Sequence, residues 1–281
     1  MSNRTTYNFH LSDFKNEENF STLDSFEGFH FSNSKSDLID LFANTLAQGM
    51  HGLCFSLYED GQQPGDTISE AQVRRRLEIM APYTKWVRSF SCTEGNEFIP
   101  KIARELGIKT LVGAWLGDDA EKNDKEIKAL IELANEGFVD IAAVGNEVMY
   151  RKDLSEDELL EYIAKVKNEI PSHIPVGYVD AYYEFTIKPR ITEACDVILT
   201  NCYPYWEGSN QDHALAHMKS MYYQAKSAAQ GKKVIITETG WPSQGECFKD
   251  SHPSKENAMK YFINTQLWSK ASNIDIFYLN F

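Results

Sequence analysis

Strand-like and helix-like segments alternate along most of this chain, and this alternation restricts the fold more than any other feature. The predicted strands are short apolar runs, and the stretches between them are longer and amphipathic. The eight predicted strands span residues 52–58, 86–91, 110–115, 140–147, 176–180, 197–203, 234–238 and 274–279. Helical spacing of apolar residues follows most of them, at 69–79, 98–106, 124–135, from 155 onward, 212–229 and 254–269. The helical pattern is weakest after the fifth strand.

Such alternation is typical of a parallel sheet whose strands are connected by helices. A TIM barrel uses about 250 residues for its eight strand–helix units, which suits a chain of 281 residues. A doubly wound sheet also alternates, but no GxGxxG motif follows the first strand. We therefore predict a single (β/α)8 TIM barrel over residues 51–281. Residues 1–50 form an N-terminal extension, with residues 1–35 on the surface and a helix at 36–50 that has Ser36 as its N-cap.

Two of the predicted strands end in a glutamate. Glu147 and Glu238 lie 91 positions apart, which is close to three barrel units of about 31 residues each. They therefore belong on strands four and seven, at equivalent heights. Because the carboxyl ends of all barrel strands open onto one face, we expect the two carboxyl groups to lie at the same rim.

Paired carboxyl groups across a cleft are the minimal machinery for glycoside hydrolysis. One protonates the leaving oxygen, and the other acts as nucleophile or as base. A separation of about 5–5.5 Å fits retention and about 6.5–9.5 Å fits inversion, so the sequence leaves both open. Metal ligation is the rival use of paired acids. His213 and His217 are four apart on a predicted helix without an HExxH motif, so we expect a surface helix and no metal.

The amino-acid composition restricts the classes of molecule that the protein is expected to bind. A formal net charge of −13 argues against nucleic acid, whereas 14 Tyr, 5 Trp and 16 Phe suit a cleft for a neutral sugar polymer. The five cysteines have no CxxC spacing, so neither a zinc site nor a disulfide framework is predicted. No apolar run reaches the roughly 20 residues of a membrane span, and residues 1–4 lack the apolar region of a signal peptide. The protein either stays inside the cell or has lost a leader.

Residues 144–148 and 237–243 resemble the two signature segments of glycoside hydrolase family seventeen, the β-1,3-glucanase family. The resemblance extends from about residue 50 to residue 281 and is closer to the microbial branch than to the plant enzymes. Further matching segments lie at or near the first, second, third and sixth strands, at 55–61, 87–91, 112–117 and 202–208.

The resemblance implies a TIM barrel of the retaining clan, with Glu147 as acid/base, Glu238 as nucleophile and Asn146 holding the sugar 2-hydroxyl. For these roles Glu147 needs a raised pKa, so that it is protonated before bond cleavage. Glu238 needs donors that keep it ionised. The hydroxyl of Tyr203, at the end of the sixth strand, is best placed to be one of them.

Other residues at the rim have two readings each. The aromatic side chains at or just after strand ends either stack on glucose rings or belong to the core; they are Tyr58, Trp115, Tyr182, Tyr183, Tyr205, Trp206 and Trp241. Asp180 lies beside Tyr182 and is a further candidate substrate contact. Arg88 belongs inside the barrel mouth, as an ion-pair partner or as a contact that orients Glu147.

The C-terminal end departs from the family pattern. Family members continue past the eighth strand into an acidic loop and a final helix, whereas this sequence ends at Phe281. We therefore expect a barrel that is apparently truncated after strand eight and open at that seam. The helix at 36–50 covers part of the gap, and a monomer is expected, with a dimer through the open seam as the alternative.

The predicted function is that of a retaining endo-β-1,3-glucan hydrolase that acts by double displacement on a β-glucan oligo- or polysaccharide without a cofactor. One alternative is a β-1,3-glucan transglycosylase with the same residues, and another is a non-catalytic glucan-binding barrel. Mixed-linkage glucan remains a possible substrate. Family members are often secreted, periplasmic or at the cell surface, which leaves the compartment open.

Overall fold

Eight parallel strands close into a barrel in chain order. The structure is a computed structural model that describes residues 27–31 and 34–279. The strands are β1 (Met50–Cys54), β2 (Thr84–Ser89), β3 (Lys109–Ala114), β4 (Ile141–Asn146), β5 (Val176–Ala181), β6 (Val197–Asn201), β7 (Lys233–Thr239) and β8 (Ile276–Tyr278). The predicted (β/α)8 TIM barrel is confirmed.

Helices surround this sheet. The α-helices of the described part are α1 (Lys35–Ala47), α2 (Glu70–Met80), α3 (Phe98–Glu105), α4 (Ala120–Asn135), α5 (Val148–Arg151), α6 (Glu156–Glu169), α7 (Glu184–Ile187), α8 (Pro189–Ala194), α9 (Pro204–Glu207), α10 (Ala214–Ala228) and α11 (Lys255–Ser272). After β5 the connection consists of the two short helices α7 and α8. Pro189 begins the second of them, because its missing N–H costs nothing at the first helical position. This division explains the weak helical pattern there.

Serine caps fix where several helices begin. Ser69, Ser155 and Ser254 each accept a hydrogen bond from a backbone N–H of the first turn. For α1 the predicted cap is wrong by two residues: Ser34, not Ser36, accepts from the N–H of Asp37 at 3.3 Å. Of the predicted surface extension, residues 1–26, 32 and 33 lie outside the described residues.

The predicted open seam is wrong, because β8 is hydrogen-bonded on both sides. It pairs with β7 and also with β1, where Gly52 lies opposite Phe277. A Cβ at Gly52 would come within 2.5 Å of the Phe277 ring, so only glycine lets the ring fill the barrel at this point. The four buried cysteines and the exposed Cys247 are all free.

Helix α1 covers the outside of this seam. Leu38 shares a buried cluster with Phe262 of α11 and Tyr278 of β8, and the rings of Phe42 and Phe262 are 5.0 Å apart. The leading helix therefore packs on the outside of a closed seam and does not fill a gap in the barrel. Within the part of the chain that the structure describes, no helix is long and apolar enough to cross a membrane.

The strands that carry the two glutamates each contain one extra residue. In β7, Ile236 pairs with Thr200 and Glu238 pairs with Asn201, so Thr237 is the additional residue. In β4, one extra residue lies between Ala143 and Asn146. Such bulges bend a strand and turn its side chains in new directions next to functional sites. The bulge in β7 lies directly before Glu238, and the bulge in β4 lies between Ala143 and Asn146, the residue before Glu147.

Candidate active site

Glu147 follows β4 in a left-handed backbone conformation, with φ of 53°. Few non-glycine residues adopt it, and where it occurs the surrounding structure holds it in place. Here the Glu147 N–H donates to the carbonyl of Val179 at 2.8 Å, and the Glu147 carbonyl accepts from the N–H of Arg151, also at 2.8 Å. These contacts direct the side chain to the carboxyl-end rim of the barrel.

Glu238 lies near the end of β7 and is almost fully buried. Arg88 Nη1 donates to its Oε1 at 2.6 Å, and the Tyr203 hydroxyl donates to its Oε2 at 2.5 Å. Each carboxylate oxygen therefore has its own donor, one of them charged. Hydrogen bonds that involve a charged donor are stronger than neutral ones, and together the two donors fix the orientation of the carboxylate. The contact predicted between Tyr203 and Glu238 is present.

Arg88 is the ion-pair partner of Glu238 and does not orient Glu147 directly. Its second nitrogen, Nη2, donates to Oδ1 of Asn146 at 2.7 Å, and its guanidinium lies 4.3 Å from the centre of the Phe90 ring. Because the side chain of Arg88 is buried, these contacts are made without competition from water. Arg88 thereby holds Glu238 and Asn146 in one arrangement.

Glu147 has a different environment. Its side chain is partly buried, and Asn201 Nδ2 donates to Oε1 at 2.9 Å. Burial, followed by repulsion from the Glu238 carboxylate, raises the pKa of Glu147. The Asn201 hydrogen bond and the charges of Arg88 and Arg151 oppose this shift without cancelling it. Glu147 therefore keeps its proton to a higher pH than an ordinary glutamate.

The structure separates the candidate aromatic residues into exposed and buried groups. Trp115 and Trp206, near the ends of β3 and β6, keep 44% and 43% of their surface exposed. Tyr58 and Tyr183 are partly buried.

Three of the candidates are buried, so of their two readings the structure supports the core and not the substrate cleft; they are Trp241, Tyr205 and Tyr182. Trp241 has no exposed surface and packs against Tyr205, with its indole N–H donating to the carbonyl of His252 at 3.0 Å. The Tyr205 hydroxyl donates to the carbonyl of Glu246 at 2.6 Å. The loop after β7 is thus tied back over these two rings, which leaves no face for a sugar.

Asp180 is also a supporting residue rather than a cleft residue. It is fully buried and accepts hydrogen bonds from the Tyr178 hydroxyl and from the N–H of Ala181. Burial outweighs both bonds and raises the pKa of Asp180 to about 8. The Tyr178 oxygen in turn accepts from the N–H of Met149 at 2.9 Å. Asp180 therefore supports the turn that follows Glu147.

The His213 and His217 pair lies at the start of α10, where its second member contacts an acidic side chain. His217 Nε2 lies 3.0 Å from Oε2 of Glu207. Among the described residues, no group of three or more His, Cys, Asp or Glu side chains is arranged to hold a metal ion.

Comparison with known proteins identifies the family. The model of the BtgE/BtgC glycoside hydrolase domain matches residues 52–281. The chain belongs to this family. It is a glycoside hydrolase by family, and the resemblance to glycoside hydrolase family seventeen is confirmed.

Solved structures and curated relatives agree with this family. The glycoside hydrolase family 17 β-1,3-glucanosyltransferase of Rhizomucor miehei has 32% identity and a TM-score of 0.74, over 83% of this chain and 86% of that one. An active-site mutant of the same enzyme, in complex with laminaritriose, has 31% identity and a TM-score of 0.75, over 83% of this chain and 87% of that one. A glucan 1,3-β-glucosidase of Schizosaccharomyces pombe is 28% identical over 221 residues, which are 72% of this chain and 68% of that protein.

Three residues of this glycoside hydrolase site were missed in the sequence. Asn201 contacts Glu147, and Tyr150, in the turn after Glu147, is 44% exposed. Arg151 packs its guanidinium 4.7 Å from the Trp115 ring centre, and it donates to the carbonyl of Asn146 and, at 2.8 Å, to that of Leu116. The signal for Asn201 was a polar residue ending a buried strand. For Arg151 it was a cation four residues after the glutamate.

Proposed function

We propose that this chain is a retaining endo-β-1,3-glucan hydrolase, with Glu238 as nucleophile and Glu147 as acid/base. The observation that carries the proposal is the unequal environment of the two carboxyl groups. Glu238 has an arginine and a tyrosine hydroxyl on its two oxygens, whereas burial and the neighbouring charge raise the pKa of Glu147. Two carboxyl groups whose environments separate their protonation states are suited to one acid role and one ionised role.

The reaction follows from these two states. Glu238 attacks the anomeric carbon while Glu147 transfers its proton to the leaving glycosidic oxygen, so the carbon–oxygen bond to Glu238 forms as the glycosidic bond breaks. Glu147, now ionised, then takes a proton from the water that attacks the same carbon and releases Glu238. Repulsion from the Glu238 charge is absent in the covalent intermediate, so the pKa of Glu147 falls when it must act as a base.

Several residues support a glucan as substrate. Asn146 accepts a hydrogen bond from Arg88 through its Oδ1. Its Nδ2 donor is therefore directed to other partners, and a sugar 2-hydroxyl is a suitable one. The exposed indoles of Trp115 and Trp206 offer apolar faces for neutral pyranose rings. The relatives named above act on or bind β-1,3-glucans by their descriptions, and we extend that linkage to this chain.

A transglycosylase with the same two glutamates is the second candidate. It is favoured because the similar Rhizomucor miehei structures belong to a glucanosyltransferase. In that reaction a sugar hydroxyl, rather than water, attacks the covalent intermediate. The chemistry of the two carboxyl groups is otherwise the same.

Digestion of laminari-oligosaccharides of defined length tests both candidates. Products shorter than the substrate, with new reducing ends from internal cleavage, support the hydrolase, and products longer than the substrate support the transferase. Glu238→Gln is expected to abolish turnover while the fold is retained, and Glu121→Gln, at an exposed position of α4, serves as the matched control. Binding without any bond cleavage by the unmodified protein would instead identify a non-catalytic glucan-binding barrel and refute the proposal.

A further inference from the structure

The side chains of Thr237, Asn201 and Glu147 form a chain of hydrogen bonds. This chain connects β7, the strand that carries Glu238, to the carboxyl group of Glu147. The Thr237 hydroxyl donates to Oδ1 of Asn201 at 2.9 Å. Asn201 Nδ2 donates to Oε1 of Glu147 at 2.9 Å. Thr237 is fully buried and Asn201 is 3% exposed, so water does not replace either contact. Thr237 is the residue directly before Glu238.

From this chain we propose that Asn201, oriented by Thr237, is a positioning residue that determines which oxygen of Glu147 carries the catalytic proton. The inference rests on the proposed function, in which Glu147 is the acid/base. Thr237 and Asn201 touch neither the reacting carbon nor the leaving oxygen in this scheme. They act through Glu147.

The orientation of the Asn201 amide determines which oxygen of Glu147 carries the proton. With Nδ2 towards Glu147, Oε1 accepts a hydrogen bond in both protonation states of the carboxyl group, and the proton resides on Oε2. A reversed amide would direct its carbonyl oxygen at Glu147. It would repel the ionised carboxylate, and it would attract the proton of the neutral acid towards Asn201 and away from the substrate. Only the observed direction suits both steps of a double displacement.

In this direction the Thr237 hydroxyl donates to Oδ1, which holds the amide plane of Asn201 between Thr237 and Glu147. The extra residue in β7 is what brings it there: Asn201 pairs with Glu238, and Thr237 lies in the bulge between two paired positions. A regular strand would send Thr237 and Glu238 to opposite faces of the sheet. The bulge instead allows Thr237 to contact Asn201 while Glu238 contacts Arg88 and Tyr203.

The Asn201 hydrogen bond also acts on the proton affinity of Glu147. A neutral N–H donor stabilises the ionised carboxylate more than the acid, so it opposes the effects of burial and of Glu238 on the pKa of Glu147. Glu147 thereby stays able to release its proton. Removing the donor raises the pKa of Glu147 further.

The test uses the intact protein with Asn201→Leu, which keeps the approximate side-chain volume and removes the donor. The basic limb of the kcat/KM profile on laminarin is expected to move to higher pH, because Glu147 holds its proton longer. Activity at neutral pH is expected to fall roughly 10-fold to 100-fold, which is a part of the 10²–10⁴-fold that general acid–base catalysis contributes, because Glu147 itself is still present. A merely structural role would lower activity at every pH and leave the limb in place.

Thr237 provides a second, independent set of variants. Thr237→Val removes the hydroxyl with little change of volume and is expected to shift the limb in the same direction by a smaller amount, and Thr237→Ser is expected to restore it. Thr200→Val is the matched control, because Thr200 is an equally buried neighbour on β6 whose hydroxyl takes no part in this chain of contacts. Its profile is expected to coincide with that of the unmodified protein.

Carboxyl-carbon NMR titration of Glu147 separates this inference from the proposed function, because it needs no turnover. An inactive unmodified protein would refute the function. The inference is supported if the Glu147 titration moves to higher pH in Asn201→Leu or Thr237→Val, and it is overturned if the titration in these folded variants is unchanged or moves to lower pH.

Discussion

At the scale of single residues, Glu147 and Glu238 show that position alone does not assign a role. Both follow apolar strands at the same rim, yet the donors on each differ in number and charge. Arg88 contributes to both environments: it pairs with Glu238 directly, and its charge reduces the pKa shift of Glu147. The proposed acid and the proposed nucleophile are therefore distinguished mainly by residues that other strands contribute, Arg88 from β2 and Asn201 from β6.

Replacement of Glu147 by alanine tests the acid role. We expect the Glu147→Ala variant to lose most of its activity on laminarin, because the leaving group of that substrate needs a proton. The rate at which the covalent intermediate forms from activated aryl glucosides is expected to fall much less. General acid catalysis contributes about 10²–10⁴-fold, so a difference of that order between the two substrate classes is expected. Burst-phase and steady-state rates on both classes provide the measurement. Equal losses on both would contradict the acid role.

Replacement of Arg88 tests the ion pair. Arg88→Met leaves the buried Glu238 carboxylate without its charged partner, a type of change that costs about 3–5 kcal/mol of unfolding free energy. We also expect turnover to fall sharply, because Asn146 loses the donor to its Oδ1. Urea unfolding at pH 7 measures the first effect. Arg74→Met, at a surface ion pair on α2, is the control, and a loss no larger than that of the control would refute the prediction.

At the scale of secondary-structure elements, the sequence predicts the strands and helices that recur along the chain, and it misses local irregularities such as bulges and loop contacts. The barrel, its strand order and the two glutamates follow from apolar periodicity and from the interval between Glu147 and Glu238. The bulges before them do not, since one extra residue leaves the apolar run of β7 unbroken. Likewise, Trp206 and Trp241 each lie three residues after the end of a predicted strand, at 203 and 238. The loop after β7 buries Trp241 completely, whereas Trp206 stays 43% exposed although the Phe248 ring of the same loop contacts it, and such tertiary contacts are not encoded locally.

Helix α1 offers a test at this scale, because two adjacent apolar residues face different surroundings. Leu38 is 5% exposed and packs with Phe262 and Tyr278, whereas Ile39 is 45% exposed. We expect Leu38→Ala to lower the free energy of unfolding by about 2–5 kcal/mol, the range for a buried leucine. Ile39→Ala is the matched control and is expected to change it by less than about 0.5 kcal/mol. Similar small effects for both, by chemical denaturation, would show that α1 is not part of the barrel core.

At the scale of the whole molecule, closure of the barrel depends on the joint between the last strand and the first. β8 is only three residues long, so its hydrogen bonds to β1 are few. Asp275, directly before β8, adds polar contacts across this joint. Its carboxylate lies 3.0 Å from His51 Nδ1 on β1 and 2.5 Å from Lys233 Nζ on β7. One carboxylate thus connects the three strands that complete the ring.

The pH dependence of stability tests this connection. Burial raises the pKa of Asp275, but the hydrogen bonds and charges of His51 and Lys233 outweigh burial and lower it from 3.8 to about 2. A carboxyl group with a depressed pKa in the folded state stabilises the fold above its unfolded pKa, and that contribution is lost as the pH falls through the folded pKa. Asp275→Asn is therefore expected to cost about 2 kcal/mol at pH 7, with the deficit shrinking between about pH 4 and pH 2.

Urea unfolding of both proteins across that range gives the measurement, and Asp118→Asn, at an exposed position before α4, is the control without a pH-dependent deficit. A deficit that stays constant as the pH falls would mean that Asp275 contributes by packing rather than by its charge. Closure of the ring would then rest on the backbone pairing of β8 with β1 and on the cover provided by α1.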